Sequence, residues 1–334
     1  MAFRRFLRVS INKLGVRIMR ESTYSKLRSR GSAWIPSYQA SPLDPADARD
    51  LHFGNPRLIR LTERYADHPV GPSSLWEHAQ LLKKTSLNYF RGDNLYIWQV
   101  SSDRMTRGLN PEASYGITAY YAERRDALGL FDVLEEDGTF GCYTFTFETG
   151  RLISRDLLDS VMEINYLASI LGADYVANSN LMDIGAGYGR LAHRWLTAFS
   201  TSRVYLYDGI PTSTFLSEFY LNYRGLADRA MVVDLPDAEQ NLPDENTRIA
   251  TNIHSFSECT LSAVKWWLAL VEKSSVEHLF IVPNSGLTSF EGINYEDEIR
   301  NIGFRLIDNR PMYETLPASR FGLGPSDYFL FARE

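Results

Sequence analysis

Hydrophobic residues in the second half of the chain form short runs that are separated by segments with helical spacing. The runs lie at Leu181–Ile184, Val204–Tyr207, Ala230–Val233, Ile249–Ile253, Leu279–Val282, Phe304–Ile307 and Tyr328–Ala332. Between most of them, apolar residues recur every three or four positions, over 189–199, 212–223, 260–273 and 294–302. Strands that alternate with helices are typical of a mostly parallel sheet covered on both faces. The pattern therefore predicts an α/β fold with a seven-stranded sheet over residues 176–334.

The preceding segment, 31–175, has a different pattern and is predicted to be mainly helical. Its clearest helix begins after Ser154, a residue type that caps helix N-termini, and ends before Gly172. A second helix is expected within 111–127. Two short strands, Leu130–Leu134 and Phe140–Phe147, are expected to form a hairpin between these helices, because an Asp-Gly pair supplies turn chemistry between them.

The first 30 residues form a basic arm, with nine Lys or Arg residues against one acidic residue. A basic amphipathic helix can lie on an anionic membrane surface, but a solvated or partner-packed arm is the simpler interpretation. The whole chain has a formal net charge of −6, which argues against nucleic acid as a partner. The two cysteines and the lack of an apolar run of about 18 residues fit a cytoplasmic protein.

A glycine-rich turn follows the first strand of the predicted sheet. Gly185, Gly187 and Gly189 have the spacing G-x-G-x-G, and Asp183 lies two residues before the first of them. A dinucleotide-binding turn would place its third glycine at position 190, which is Arg190, and a phosphate-binding P-loop would end in Gly-Lys-Ser/Thr. The turn therefore indicates a ligand at the carboxyl end of the strand, but neither of those two ligand classes.

An acidic residue directly follows the second strand of the predicted sheet. Asp208 lies 19 residues after Gly189. An acid about 20 residues beyond such a turn can accept hydrogen bonds from both ribose hydroxyls.

The strand, the turn and the second acid together resemble the first motif of Rossmann-like S-adenosylmethionine-dependent methyltransferases. The resemblance implies the methyltransferase variant of the seven-stranded sheet, with S-adenosylmethionine as cofactor. It further implies a binding role for each member of a set along the first three strand ends: Asp183 for the ammonium group, Gly185, Ala186 and Gly187 for the methionine and ribose portions, Asp208 and Gly209 for the ribose, and Asp234 and Leu235 for the adenine.

A candidate catalytic base follows the fourth strand of the predicted sheet. His254 is placed just past the strand end, and Glu258 at i+4 could orient it. A histidine that titrates near neutral pH could take the proton of an acceptor hydroxyl. A structural role for His254 is an equal alternative. Carboxylates near the strand ends could instead hold Mg²⁺, although the sequence contains no recognisable set of metal ligands.

Several stretches resemble the bacterial sugar O-methyltransferases, and the resemblance spans about residues 110–334. The stretches are 136–141, 154–160, 163–165, 189–194 and 252–258. This resemblance implies methyl transfer to a hydroxyl of a saccharide or polysaccharide precursor, with a mannoside as one candidate. Arg155 and Asp156 would contact sugar hydroxyls; the simpler alternative is that they form a helix cap.

Two other functions stay open at this point. One is O-methylation of a small molecule other than a sugar. The other is an inactive cofactor-binding module within a glycan-assembly complex. A homodimer is compatible with the sequence.

Overall fold

The computed structural model describes residues 49–70, 87–91, 111–147 and 150–334. The basic arm of residues 1–30, and with it the question of membrane contact, lies outside these residues. None of the helices in the described ranges is long and apolar enough to cross a membrane.

The described residues before the sheet are mainly helical. Their helices are α1 (Pro56–Tyr65), α2 (Pro111–Glu123), α3 (Leu130–Val133), α4 (Arg155–Leu171) and α5 (Ala173–Ala177). Helix α4 begins where the sequence predicts, because the Ser154 side chain accepts a hydrogen bond from the N–H of Leu157 at 3.0 Å. A short hairpin precedes α4. Its strands, β1 (Phe145–Thr146) and β2 (Leu152–Ile153), have two residues each.

The predicted hairpin between 130 and 147 is wrong. Residues Leu130–Val133 form the short helix α3, and Thr139–Gly141 form a 3₁₀ turn. The reason is local: the Asp126 carboxylate accepts hydrogen bonds from the N–H groups of Leu130 and Phe131, at 2.9 and 2.8 Å. A side chain that satisfies the first amides in this way favours a helix start over a strand.

The second half forms one seven-stranded sheet. Its strands are β3 (Asn180–Ile184), β4 (Val204–Tyr207), β5 (Ala230–Val233), β6 (Thr247–Ile253), β7 (His278–Val282), β8 (Phe304–Pro311) and β9 (Asp327–Arg333). Their order across the sheet is β5-β4-β3-β6-β7-β9-β8. The first five strands pair in parallel, and β9 is antiparallel to both β7 and β8.

The predicted fold class is confirmed by this topology. In the usual dinucleotide-binding sheet, the last three strands along the chain lie next to one another in chain order. Here the last strand of the chain, β9, lies antiparallel between β7 and β8. The result is a Rossmann-like sheet of seven strands, with β9 antiparallel to its two neighbours. The order reverses on either side of β3, which lies between β4 and β6.

Helices cover both faces of the sheet. They are α6 (Arg190–Ala198), α7 (Pro211–Tyr223), α8 (Leu261–Glu272), α9 (Glu296–Asn301) and α10 (Leu316–Phe321). Helices α4 and α6 share one hydrophobic core cluster, and α8 and α9 share the other. Helix α1 packs against α7. All five residues of β3 are buried, as expected for a central parallel strand, and the polar exceptions in it are Asn180 and Asp183.

A buried ion cluster joins the helical region to the glycine turn; it consists of Arg91, Glu136, Asp156 and Arg194. Arg91 pairs with Glu136 at 2.8 Å and with Asp156 at 3.1 Å, and Arg194 pairs with Glu136 at 2.8 Å. The hydroxyl of Tyr188, inside the glycine turn, donates to Asp156. The cluster therefore connects α4 and α6 to the turn between them.

Candidate functional site

The glycine turn lies at the carboxyl end of β3, where the strand order reverses. Gly185, Gly187 and Gly189 all adopt positive φ angles, of 72°, 60° and 85°. The N–H groups of Gly185 and Ala186 donate to the carbonyl of Tyr207 at the end of β4, at 2.8 and 3.3 Å. In open α/β sheets, ligands bind in the crevice at this reversal point.

Gly185 also permits the closest approach between the turn and the loop after β6. A Cβ at this position would lie 2.2 Å from the Cβ and Oγ of Ser255. Asn252 fixes the same approach, because its side chain donates to the carbonyl of Ile184 at 2.9 Å and accepts from the N–H of Phe256 at 2.8 Å. The loops after β3 and β6 therefore form one wall of the crevice.

Asp208 clamps the glycine turn from the neighbouring strand. Its Oδ2 accepts the N–H of Gly187 at 2.9 Å, and its Oδ1 accepts the N–H of Ile210 at 2.8 Å. Each carboxylate oxygen can still accept a second hydrogen bond. Burial raises the pKa of Asp208 to about 7, against the lowering effect of the two N–H donors.

Asp183 is the second buried acid of the crevice. It lies within β3 and accepts a hydrogen bond from the hydroxyl of Thr251, on the neighbouring strand β6, at 2.8 Å. Burial raises the pKa of Asp183 to about 6, although the Thr251 hydroxyl opposes the shift. Asp183 and Asp208 are close enough for the charge of Asp183 to raise the pKa of Asp208 further.

Two arginines line a recess beside these acids. Arg155 pairs with Asp159 at 3.0 Å, and Arg190 pairs with Glu163 at 2.9 Å. The Arg155 and Arg190 side chains keep 16% and 18% of their surface exposed. We call the partly exposed surface beside these two guanidinium groups the recess. Sequence reasoning missed Asp159 and Arg190 as site residues; the i,i+4 spacing of Arg155 and Asp159 is the signal that could have found the first.

His254 lies at the edge of the same recess. It has a left-handed backbone, with φ of 67°, and its N–H donates to the carbonyl of Val282 at 2.7 Å. Its Nδ1 is buried and has no hydrogen-bond partner within the described ranges. Burial, followed by the charges of Arg155 and Arg190, lowers the pKa of His254 to about 3.

The structure bears on the expected roles of His254 and Glu258. The Oε1 of Glu258 accepts a hydrogen bond from the side chain of Asn284 at 3.4 Å, and its expected orienting contact with the imidazole stays a prediction. The prediction that His254 titrates near neutral pH is wrong, because burial and then two neighbouring guanidinium groups disfavour the positively charged imidazole.

Arg155 and Asp156 are separated by the helix that carries them. Arg155 lines the recess, whereas Asp156 is 4% exposed and belongs to the buried ion cluster. The predicted contact of Asp156 with sugar hydroxyls does not fit this placement, because its carboxylate already binds Arg91 and Tyr188. The two side chains leave the helix in directions about 100° apart, because an α-helix has 3.6 residues per turn, so neighbouring residues meet different surroundings.

The third strand end is covered by α1. Asp234 pairs with Arg57 at 2.6 Å and also with Arg64. The N–H of Leu235 donates to the hydroxyl of Tyr65 at 2.8 Å. The predicted adenine contacts of Asp234 and Leu235 therefore stay predictions, on groups that already have partners in this structure.

The described residues contain no group of three or more His, Cys, Asp or Glu side chains arranged to hold a metal ion.

Comparison with known proteins places the chain beside several methyltransferase structures at low identity. No protein-family model matches the sequence, and no curated protein matches it either. Magnesium protoporphyrin IX methyltransferase from Synechocystis PCC 6803, with bound SAM, is 12% identical over 65% of this chain and 97% of its own, with a TM-score of 0.39. The N,N-8-amino-8-demethyl-D-riboflavin dimethyltransferase RosA from Streptomyces davawensis is 17% identical over 54% and 58%, with a TM-score of 0.37. At these values the likeness assigns neither cofactor nor acceptor to this chain.

Proposed function

We propose that this protein transfers a methyl group from S-adenosylmethionine to an acceptor hydroxyl. The observation that carries the proposal is the clamp between Asp208 and the glycine turn, at the point where the strand order reverses. Both oxygens of Asp208 can accept further hydrogen bonds, and two hydroxyls of a ribose would supply them. A positively charged sulfonium ligand also suits a crevice that contains the two buried acids Asp183 and Asp208.

The residues of the crevice suit the methionine end of that cofactor. Asp183 offers a carboxylate for the ammonium group, and Arg190 offers a guanidinium group for the carboxylate. The glycines at 185 and 187 let a ligand approach the main chain. S-adenosylmethionine, when bound, supplies an electrophilic methyl group on a good leaving group.

The remaining task of the protein is to position the acceptor and to exclude water. His254 stays neutral at physiological pH, so its unpartnered Nδ1 can accept a hydrogen bond from an acceptor hydroxyl and orient it. A group with a pKa of about 3 is a weak base, so we assign His254 a positioning role before a proton-accepting one.

We propose a sugar hydroxyl as the acceptor, with a mannoside as one candidate. The sequence resemblance described above supports this choice, and so does the polar character of the recess formed by Arg155, Asp159 and His254. In this scheme residues 176–334 bind the cofactor, and α4 from the 31–175 region provides the acceptor wall.

Release of S-adenosylhomocysteine tests the proposal directly. The full chain is incubated with methyl-labelled S-adenosylmethionine and a panel of acceptors that includes mannosides, other glycans and phenolic small molecules. Label in a mannoside or another glycan, abolished by Asp208→Ala, supports the proposal. Label only in non-sugar acceptors would move the function to small-molecule methylation. Binding of S-adenosylhomocysteine without turnover on any acceptor would favour an inactive cofactor-binding module.

A further inference from the structure

The proposed function defines where the adenine end of the cofactor would lie, and the inference below rests on it. Strands β4 and β5 pair in parallel, with Tyr207 opposite Val233. The residues that follow, Asp208 and Asp234, therefore leave the sheet side by side at the same edge, about 5 Å apart as neighbouring strands are. A ribose held by Asp208 would direct its base toward Asp234 and Leu235.

Tyr65, at the end of α1, already occupies this corner. Its hydroxyl accepts a hydrogen bond from the N–H of Leu235 at 2.8 Å and lies 2.9 Å from the Thr214 hydroxyl. The Tyr65 side chain is only 2% exposed. Burial raises the pKa of Tyr65, and the charges of Asp234 and Asp208 add to the shift, so the ring lies near both acids.

Two arginines of α1 take the acceptor atoms of the same corner. Arg57 donates to both oxygens of Asp234, at 2.6 and 3.0 Å, and Arg64 donates to the Oδ2 of that same carboxylate. Arg64 also binds Asp237, one turn further on, at 2.8 Å through both carboxylate oxygens. The Leu235 N–H and the Oδ2 of Asp234 therefore already make their hydrogen bonds with α1, and the Oδ1 of Asp234 accepts one from it.

The segment just after α1 reaches the ribose side. Val70 is 3% exposed, and its Cγ1 lies 3.4 Å from the position that a Cβ on Gly209 would take. Gly209 directly follows Asp208. All three residues predicted for the nucleoside end beyond Asp208, namely Gly209, Asp234 and Leu235, are therefore covered by residues 57–70.

We propose that α1 is a self-inhibitory contact that excludes the adenine of the cofactor until the helix moves away. The hydroxyl of Tyr65 holds the backbone donor, Arg57 and Arg64 hold the carboxylate acceptor, and Val70 fills the space over Gly209. The apparent affinity for the cofactor is then the intrinsic affinity multiplied by the fraction of molecules in which α1 is displaced. Any change that weakens the docking of α1 strengthens cofactor binding.

The ion pairs of α1 make this contact sensitive to salt. Arg57 and Arg64 keep 30% and 40% of their side-chain surface exposed, so dissolved ions reach and screen their attraction to Asp234 and Asp237. S-adenosylhomocysteine carries no net charge at neutral pH, so its own attraction to the crevice changes little with salt. Its affinity for the intact chain should therefore rise with ionic strength.

Calorimetry with S-adenosylhomocysteine on full-length variants tests the proposal. Tyr65→Phe removes the partner of the Leu235 N–H, and the double variant Arg57→Gln/Arg64→Gln removes the ion pairs. Arg60→Gln is the matched control, because Arg60 is an exposed residue of the same helix. We expect each of the first two variants to bind S-adenosylhomocysteine roughly tenfold more tightly, because each loses at least one hydrogen bond that holds α1 in place. The control variant should bind as wild type does. Hydrogen exchange of residues 56–65 should become faster when the ligand binds.

Each other outcome contradicts the proposal in a distinct way. Weaker binding in Tyr65→Phe, with slower hydrogen exchange of α1 in the complex, would show that α1 builds the nucleoside site and does not block it. Unchanged affinity in both variants and at all salt concentrations would place the adenine away from α1. Failure of every variant, the control included, to bind S-adenosylhomocysteine would overturn the proposed function itself. Tyr65→Phe keeps the ring, and a cooperative melt verifies that each variant is folded.

Discussion

Two groups of buried carboxylates, one in the ion cluster and one in the crevice, differ in their partners. In the buried ion cluster, the side chain of Glu136 is fully buried and pairs with both Arg91 and Arg194. Burial alone would raise the pKa of Glu136, but the two guanidinium charges outweigh it and hold that pKa well below its usual range. In the crevice, Asp183 and Asp208 accept only hydroxyl and backbone N–H donors, and their pKa values rise to about 6 and about 7.

The difference separates charges that hold the fold together from charges that are kept for a ligand. A buried carboxylate with two arginines has its electrostatic needs met within the protein. A buried carboxylate without a cation is costly to the fold and gains most when a positively charged or hydroxyl-bearing ligand arrives. On this basis we propose the crevice as the functional site, although the ion cluster contains more charged residues.

The largest expected effect is on stability, from a change within the ion cluster. Glu136→Gln leaves Arg91 and Arg194 without their shared carboxylate in the interior, so the free energy of unfolding should fall by about 3–5 kcal/mol. Asp208→Asn in the crevice should cost less, about 1–3 kcal/mol at pH 7, since it removes a charge without a cationic partner but leaves one of the two backbone N–H groups facing the amide NH2 without an acceptor. Urea unfolding of both variants measures this. Equal losses would remove the distinction between the two groups.

The second largest effect is expected on the pH dependence of stability, which should differ in sign between Asp208 of the crevice and Glu136 of the ion cluster. Asp208 has a folded-state pKa raised from 3.8 to about 7, so its favourable contribution is present below pH 4 and is lost as the pH rises to 7. Between pH 5 and 8 this loss amounts to roughly 2–3 kcal/mol. Asp208→Asn should show a flatter profile over that range. Glu136 has the opposite sign and contributes above about pH 4.5, with the contribution lost on acidification. Identical profiles for wild type and Asp208→Asn would contradict the raised pKa.

A smaller effect is expected at His254, on turnover alone. Because its pKa is about 3, the imidazole does not change protonation between pH 5 and 9, and it can position the acceptor over that whole range. His254→Ala should lower kcat by up to about tenfold, the value of one hydrogen bond, with no change in cofactor affinity. The ratio of wild-type to variant rates should be constant with pH. A ratio that rises through pH 6–7 would restore the histidine as the titrating base.

The smallest effect is expected from the basic arm. Deletion of residues 1–25 should leave both the melting temperature and S-adenosylhomocysteine affinity unchanged, because the arm's charge contrasts with that of the rest of the chain. Differential scanning calorimetry of the truncated and full chains makes the comparison. Loss of a cooperative melt after the deletion would show that the arm is part of the folded core.

The fold could be predicted further from the sequence than the site could. All seven strands of the large sheet lie where short apolar runs predict them, because a strand buried on both faces reveals itself locally. The prediction of a hairpin at 130–147 was wrong because Asp126, which lies before this segment, caps a helix at its start. Asp234 contacts two arginines of α1 that lie 170 and 177 positions before it in the sequence. No local sequence pattern indicates a pairing over such a distance. The lowered pKa of His254 depends in the same way on tertiary structure, through burial first and then through two arginines from distant helices.

The measurement that tests the central claim most directly is S-adenosylhomocysteine binding to Asp208→Ala, compared with wild type and with Asp228→Ala, an exposed aspartate of the same domain. Loss of the charge-assisted hydrogen bonds to the ribose should weaken binding by about 10- to 100-fold, or roughly 1.5–3 kcal/mol, and Asp228→Ala should bind as wild type does. In wild type, the affinity should increase as the pH rises through about 7, where Asp208 ionises. Equal affinities for all three proteins would remove Asp208 from the site, and with it the account of this crevice as a cofactor site.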